Sequence, residues 1–261
     1  KQDENVQIFS LKFYAGPKSY SYLKTLDMGF EKTVDFGFFG FLGKLATSAL
    51  FALYSLTNNY GWAIIIMTII IQILVLPLTL KSFKAMAGMK KIQPLMKDIQ
   101  TKYKNDPKRL QAEMMNLYRT HKVNPFGGCL PMLLQLPIFW ALFQTLRNAY
   151  ELRYSPWILW VKDLSASDSL FYMGSISFNM LPLIMGLIMF LQQKLTTATS
   201  DPTQRKMMYI MPIIFTLMFW GFPSGLVLYW LTNSLVSVIV QFFVLKKDEQ
   251  NSSGVKNAKR A

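Results

Sequence analysis

Hydrophobic positions in this chain come in long blocks rather than in alternation. A helix needs about 20 apolar residues to cross about 30 Å of hydrocarbon. Five blocks approach that length: 60–80, with the run AIIIMTIIIQILVLPL, then 125–146, 176–193, 207–220 and 225–245. Only Gly-Phe-Pro-Ser separates the last two, which predicts two helices joined by a tight turn. The expected fold class is an all-α polytopic membrane protein with a five-helix transmembrane core. A sixth stretch, 37–56, is also apolar, but Lys44 interrupts it and only TNNYG parts it from the first block. It reads as an amphipathic helix lying on the outer membrane surface rather than as a sixth span.

The longest polar interval has its own periodicity. Met86, Met89 or Lys90, Gln93, Met96 and Ile99 recur every three to four residues, with lysines such as Lys91 on other faces. Asn105-Asp106-Pro107 then breaks the pattern, offering Asp106 as N-cap and Pro107 as the first helical residue. Leu110, Met114 and Leu117 follow on one stripe, with Met115 beside it. Residues 82–123 therefore predict two antiparallel helices, a hairpin outside the membrane. Its methionines and leucines zip the two helices together, or they form a flexible basic surface that touches incoming apolar polypeptide.

Composition explains the orientation. Hydrophobic residues make up 52% of 261, yet 28 Lys+Arg face only 14 Asp+Glu. Five spans put 81–122, 194–206 and 246–261 on one side, and these hold 19 of the 28 cations, eleven of them in 81–122. Basic segments stay inside, so that side, with the C-terminus, is cytoplasmic. The N-terminal segment and 148–175 then lie outside. The chain begins at Lys1 without Met, and 6–16 reads as a strand with no neighbour to pair with. The expectation is the C-terminal part of a longer protein.

Polar side chains inside the blocks need partners in a dry medium. Thr68 and Gln72 share one face of the first block, with Thr79 on the same stripe. Gln135 lies in the second beside Pro137, and Gln192 and Gln193 end the third. Asn233, Ser237 and Gln241 form a stripe on the fifth, preceded by Tyr229 and Trp230. Singly, each is interhelical glue worth about 1 kcal/mol or less. Together they fit a shared polar cavity. The blocks contain no Asp or Glu, and no Lys or Arg near a centre, which disfavours pumps and ion-coupled transport.

Enzymatic chemistry has little support. His121 is the only histidine and Cys129 the only cysteine, so clustered metal ligands are absent, and Cys129 reads as a small buried thiol. Gly37 to Lys44 has the wrong spacing for a phosphate loop, with Leu45 where Ser or Thr would hold magnesium. No cofactor is expected.

Across nearly its whole length the chain resembles the YidC membrane protein insertase family. The resemblance rests on GWAIIIMTIIIQILVLPLTLKS, on MKKIQPLMKDIQ and EMMNLY in the hairpin, and on HKVNPFGGCLPMLLQLPIFWALF. It continues through ELRYSPWILWVKDLS, DPTQRKMMYIMPIIFT and FPSGLVLYWLTN. Phe13 to Pro17 looks like the end of the periplasmic domain of Gram-negative-type members, whose first span and most of that domain would then be missing. The resemblance implies a remnant of that domain and a linker over 1–35, and a periplasmic interfacial helix over 36–58. It implies a first core span over 59–81, the cytoplasmic hairpin over 82–123, four further spans over 124–247, and a basic, disordered tail over 248–261.

The family implies an inner-membrane insertase and chaperone with a hydrophilic groove open to the cytosol and to lipid. An Arg of the family's groove corresponds to Gln72 here, which keeps hydrogen bonding and removes the fixed charge. Thr68, Gln72, Gln135, Gln193, Trp230, Asn233 and Ser237 are the expected groove residues. Leu133, Pro137, Met211, Phe215 and Phe219 are the expected slide along which a new transmembrane helix leaves. Met86, Met89, Lys90, Lys91, Met96, Met114 and Met115 mark the hairpin's working surface. Implied partners are nascent membrane proteins, the ribosome, the Sec translocon and the lipid bilayer, with no specific nucleic acid. Lys256, Lys259 and Arg260 would add weak attraction to ribosomal RNA or anionic lipid. The alternative from another class is a transporter or channel for a small polar solute using the same cavity.

Overall fold

A computed structural model describes residues 10–124, 127, 130–174, 176–196 and 202–258. Cys129, Lys259 and Arg260, and the first part of the strand expected at 6–16, lie outside the described residues. Residues 10–16 carry no strand. The fold is mostly helical: α1 (Tyr20–Thr25), α2 (Gly40–Thr57), α3 (Tyr60–Lys102), α4 (Pro107–Thr120), α5 (Leu130–Asn148), α6 (Met180–Thr196), α7 (Pro202–Met218) and α8 (Ser224–Ala258). Strands β1 (Ser169–Met173) and β2 (Ile176–Asn179) form one antiparallel hairpin between α5 and α6.

Helix α3 starts where the Asn59 side chain accepts from the Gly61 and Trp62 N–H groups at 2.9 and 3.2 Å. It then runs unbroken through Pro77 and Pro94. At ~1.5 Å per residue it is about 65 Å long. The first apolar block and the first arm of the polar hairpin are thus one rod. Helix α4 begins as its sequence predicts: the Asp106 carboxylate accepts from the Arg109 N–H at 3.0 Å, and Pro107 is the first helical residue.

Two helical segments are long and apolar enough to cross a membrane. They are Tyr60–Lys102, with mean hydropathy 2.7 in its most apolar window, and Ser224–Val244, with 1.7. Met180–Leu195 and Lys206–Gly221 are shorter apolar helices. Helix α8 continues to Ala258, into the tail expected to be disordered. Extending an existing helix avoids the cost of nucleating one, so polar residues can prolong it.

The block expected at 176–193 is divided. Its first four residues are β2, and the helix starts at Met180. An apolar run alone does not separate strand from helix. Here Phe178 faces Phe171 across the ladder, their rings stacked at 4.8 Å, and Leu170 forms a bulge. Gly174 turns the chain at φ 65°. The Trp220 indole N–H donates to the Ser177 carbonyl at 3.0 Å, and the Asn179 amide donates back to the Trp220 carbonyl. These bonds fix the hairpin to the turn between α7 and α8.

The buried core is not spread evenly along the helices. Ile64 and Met67 of α3, Leu142 and Leu146 of α5, Leu181 and Met185 of α6, and Leu226 to Tyr229 of α8 form one cluster. It also takes in Leu50 of α2 and Leu152, Val161 and Leu164 of the α5–β1 connection. All lie toward the helix ends next to that connection. Toward the opposite ends, Ile73, Leu74, Leu133, Leu136, Leu187, Leu191, Phe242 and Phe243 are exposed.

Candidate functional site

The polar side chains singled out from the sequence begin where this core stops. Thr68 is buried, and its hydroxyl donates to the Ile64 carbonyl of its own helix at 2.7 Å. One turn further, the Gln72 amide N–H donates to the Asn233 side-chain carbonyl, tying α3 to α8. The Gln135 amide donates to the Tyr229 hydroxyl, tying α5 to α8. Tyr229 and Asn233 are four residues apart, so both bonds leave from one stripe of α8. Ser237 and Gln241 continue that stripe, the first half-buried and the second 2% exposed.

Other expected groove residues stand apart from these pairs. Gln193 is half-buried near the far end of α6. Trp230 lies among aromatic rings, with Phe139 at 5.0 Å edge-on and Phe215 and Phe219 each at 5.4 Å. It therefore joins α5, α7 and α8 through the expected slide. Of the slide residues, Leu133 is exposed, Pro137, Met211 and Phe215 are half-buried, and Phe219 is fully buried.

In the hairpin, Met96 is buried, Met86, Met89 and Met114 are half-buried, and Met115 is exposed. Ile92, not singled out from the sequence, is buried beside them. Lys91 is exposed, whereas Lys90 is half-buried and its ammonium donates to the Leu195 carbonyl at 2.7 Å. That carbonyl lies in the last turn of α6, where a cation is favoured by the helix dipole. Four of the five methionines are thus at least half-buried, and Lys90 ties the first arm of the hairpin to α6.

Sequence reasoning did not select Tyr229 as a site residue, although its spacing from Asn233 placed it on the stripe. It also missed Asp168, which is 3% exposed outside the apolar blocks. Its carboxylate accepts from the Leu181 N–H at 2.6 Å and the Trp160 indole N–H at 3.0 Å, capping α6 from a distance. Burial pushes this carboxyl above its ordinary value, against the pull of those hydrogen bonds.

Chemically, the arrangement is a set of amides and hydroxyls that satisfy one another at the edge of a dry core. Such pairs exchange for bonds to a polar guest at little net cost, because each broken bond is replaced. Among the described residues no group of His, Cys, Asp and Glu could hold a metal ion.

Comparison with known proteins gives this arrangement its context. Residues 52–251 match the family described as 60Kd inner membrane protein, and residues 2–49 match the YidC periplasmic domain. The chain belongs to this family of inner-membrane proteins, the YidC insertase family. It is 69% identical over 247 residues to the membrane protein insertase YidC of Endomicrobium trichonymphae, covering 95% of this chain and 48% of that protein. It is 49% identical over 242 residues to the membrane protein insertase YidC of Syntrophobacter fumaroxidans, covering 90% and 43%. A crystal structure of an active YidC insertase with its first transmembrane domain resolved superimposes with a TM-score of 0.64 at 30% identity, covering 87% of this chain and 54% of that one. The chain thus spans about half the length of the curated relatives it matches. These relatives lend no support to the solute-transporter alternative.

Proposed function

We propose that this chain forms the five-helix transmembrane core of a membrane protein insertase and chaperone. Helix α3 up to residue 80, together with α5, α6, α7 and α8, crosses the inner membrane, and α2 lies on its outer surface. The hairpin 82–123 and the C-terminus face the cytosol, in keeping with 19 of the 28 cations on that side. The groove occupies the cytoplasmic half, lined by Gln72, Gln135, Asn233 and Ser237. Nascent membrane proteins, delivered by the ribosome alone or with the Sec translocon, enter there and leave into lipid between α5 and α7.

The observation that carries this reading is the uneven core. Packing is dense at the outer ends of the helices and gives way, at Gln72 and Asn233, to exposed apolar positions nearer the hairpin. A half-depth groove shortens the dry path for a polar tail, which otherwise costs about 2.5–3.5 kcal/mol per charged residue. Burial of the substrate's apolar segment in lipid then drives release, and no nucleotide or cofactor is required. A photo-crosslinker at position 72 should capture a ribosome-tethered nascent chain, whereas one at exposed Leu74 should capture mainly lipid. Capture at 74 with none at 72 would sink the groove.

A further inference from the structure

Two hollows meet at the outer end of α5. The first, of about 340 Å³, is apolar, walled by Phe143 and Leu146 of α5, by Phe222 and Pro223 of the α7–α8 turn and by Leu226 of α8. The second, of about 400 Å³, is basic, with Lys18, Arg147 and Arg153 at its wall beside Asn148 and Ser165. Arg147 lines both.

None of the three cations is in an ion pair among the described residues. Arg147 rests over the Phe143 ring at 5.8 Å, and Arg153 lies near Tyr150 and Tyr154 at 5.8 and 5.9 Å. The nearby carboxylates have other donors. Glu151 accepts from the Ser19 and Ser21 hydroxyls, and Asp163 accepts from the Ser165 N–H and hydroxyl, each at 2.8 Å. The wall of the basic hollow itself thus carries three cations and no carboxylate. An apolar trough by itself names no occupant, but one that shares Arg147 with a hollow walled by two further cations calls for an amphiphile with an anionic head. Guanidinium groups suit a phosphate in particular, since they present paired donors in a fixed plane.

We infer that the outer end of α5 binds one anionic phospholipid, its phosphate between Lys18, Arg147 and Arg153 and an acyl chain against Phe143, Phe222 and Leu226. The inference rests on the membrane orientation proposed above, which sets Arg147 and Arg153 at the outer headgroup level. They are two of the nine cations on that side, the other seven being Lys162 and six lysines spread over 1–44. The lipid would sit at the outer end of the path between α5 and α7, beside any helix leaving along it.

The test uses the whole chain, purified free of lipid in detergent, with native mass spectrometry and thermal unfolding as readouts. Phosphatidylglycerol should be retained as a single molecule and raise the unfolding temperature. Phosphatidylcholine with the same chains, and inorganic phosphate, should do neither. Arg147→Gln with Arg153→Gln should weaken retention about tenfold. Arg147→Lys with Arg153→Lys should keep most of it while the lipid-free unfolding temperature of both variants stays near that of the parent.

Equal retention of phosphatidylcholine, or undiminished retention by the double glutamine variant, overturns the site. An equal thermal shift with inorganic phosphate makes it an anion site without a lipid and overturns the acyl assignment. Crosslinks from position 222 to nascent chain in place of lipid also overturn it. Lipid retention is read without ribosomes, so its failure is distinct from a failure of crosslinking at Gln72.

Discussion

Gln72 concentrates the argument at the scale of single residues. Its amide holds Asn233 across the gap between α3 and α8, so the groove proposed above would at rest satisfy its own amides. A guest must open this pair and replace both partners. Gln72→Ala removes one interhelical bond, worth about 1 kcal/mol or less in a membrane, and the fold should survive. Insertion of substrates with polar tails should fall about fivefold, the worth of one hydrogen bond. Substrates with apolar tails should be affected less, and an insertion assay in vesicles compares the two. Equal loss for both, or no loss, counts against a groove role. Gln72, Asn233 and Gln135 were legible because amides are conspicuous in apolar blocks. Their pairing was not legible, because stripes on separate helices carry no record of which faces meet. Tyr229 escaped for a different reason: its ring belongs to the apolar pattern, and only its hydroxyl belongs to the site.

At the scale of elements, helices that follow long apolar runs or strong caps were readable, and the β-hairpin was not. Its strands SLFYM and ISFN are short and lack a sustained apolar/polar alternation, so β2 merged with the helix after it. What separates them is capping: the Asp168 carboxylate, fixed just before β1, reaches the Leu181 N–H and starts α6. This cap carries a pH dependence. Burial raises the Asp168 carboxyl, so the fold favours its protonated form. That contribution is present in acid and is lost as pH rises through the folded-state value. Asp168→Asn keeps a carbonyl acceptor for both N–H donors and never ionises. Between about pH 4 and about pH 7 the parent's unfolding temperature should therefore drop more than the variant's. Parallel curves would assign the slope to other groups.

At the scale of the whole molecule, one rod links the buried core to the hairpin tip. Helix α3 passes from the dense core, past Gln72, into the arm that carries Lys90. Rotation of the hairpin is thus transmitted to the Gln72–Asn233 pair unless something holds it. The bond from Lys90 to the Leu195 carbonyl is that restraint, closing a loop of contacts through α3, α6 and α8. The charge pattern foretold a basic hairpin but not this mooring, because a lysine among many lysines carries no mark of being half-buried. A charged bond of this kind is worth about 1.5–3 kcal/mol when buried, and about 1 kcal/mol at this partly wet site. Lys90→Ala should therefore raise amide exchange across 83–120 about fivefold, leaving 224–234 unchanged. Crosslinking from position 237, one turn beyond Asn233 on α8, should rise in step, because a freed hairpin opens the Gln72–Asn233 pair more often. Faster exchange in the hairpin with unchanged crosslinking would show that the rod bends between Lys90 and Gln72, most readily at Pro77, and that hairpin and groove move independently.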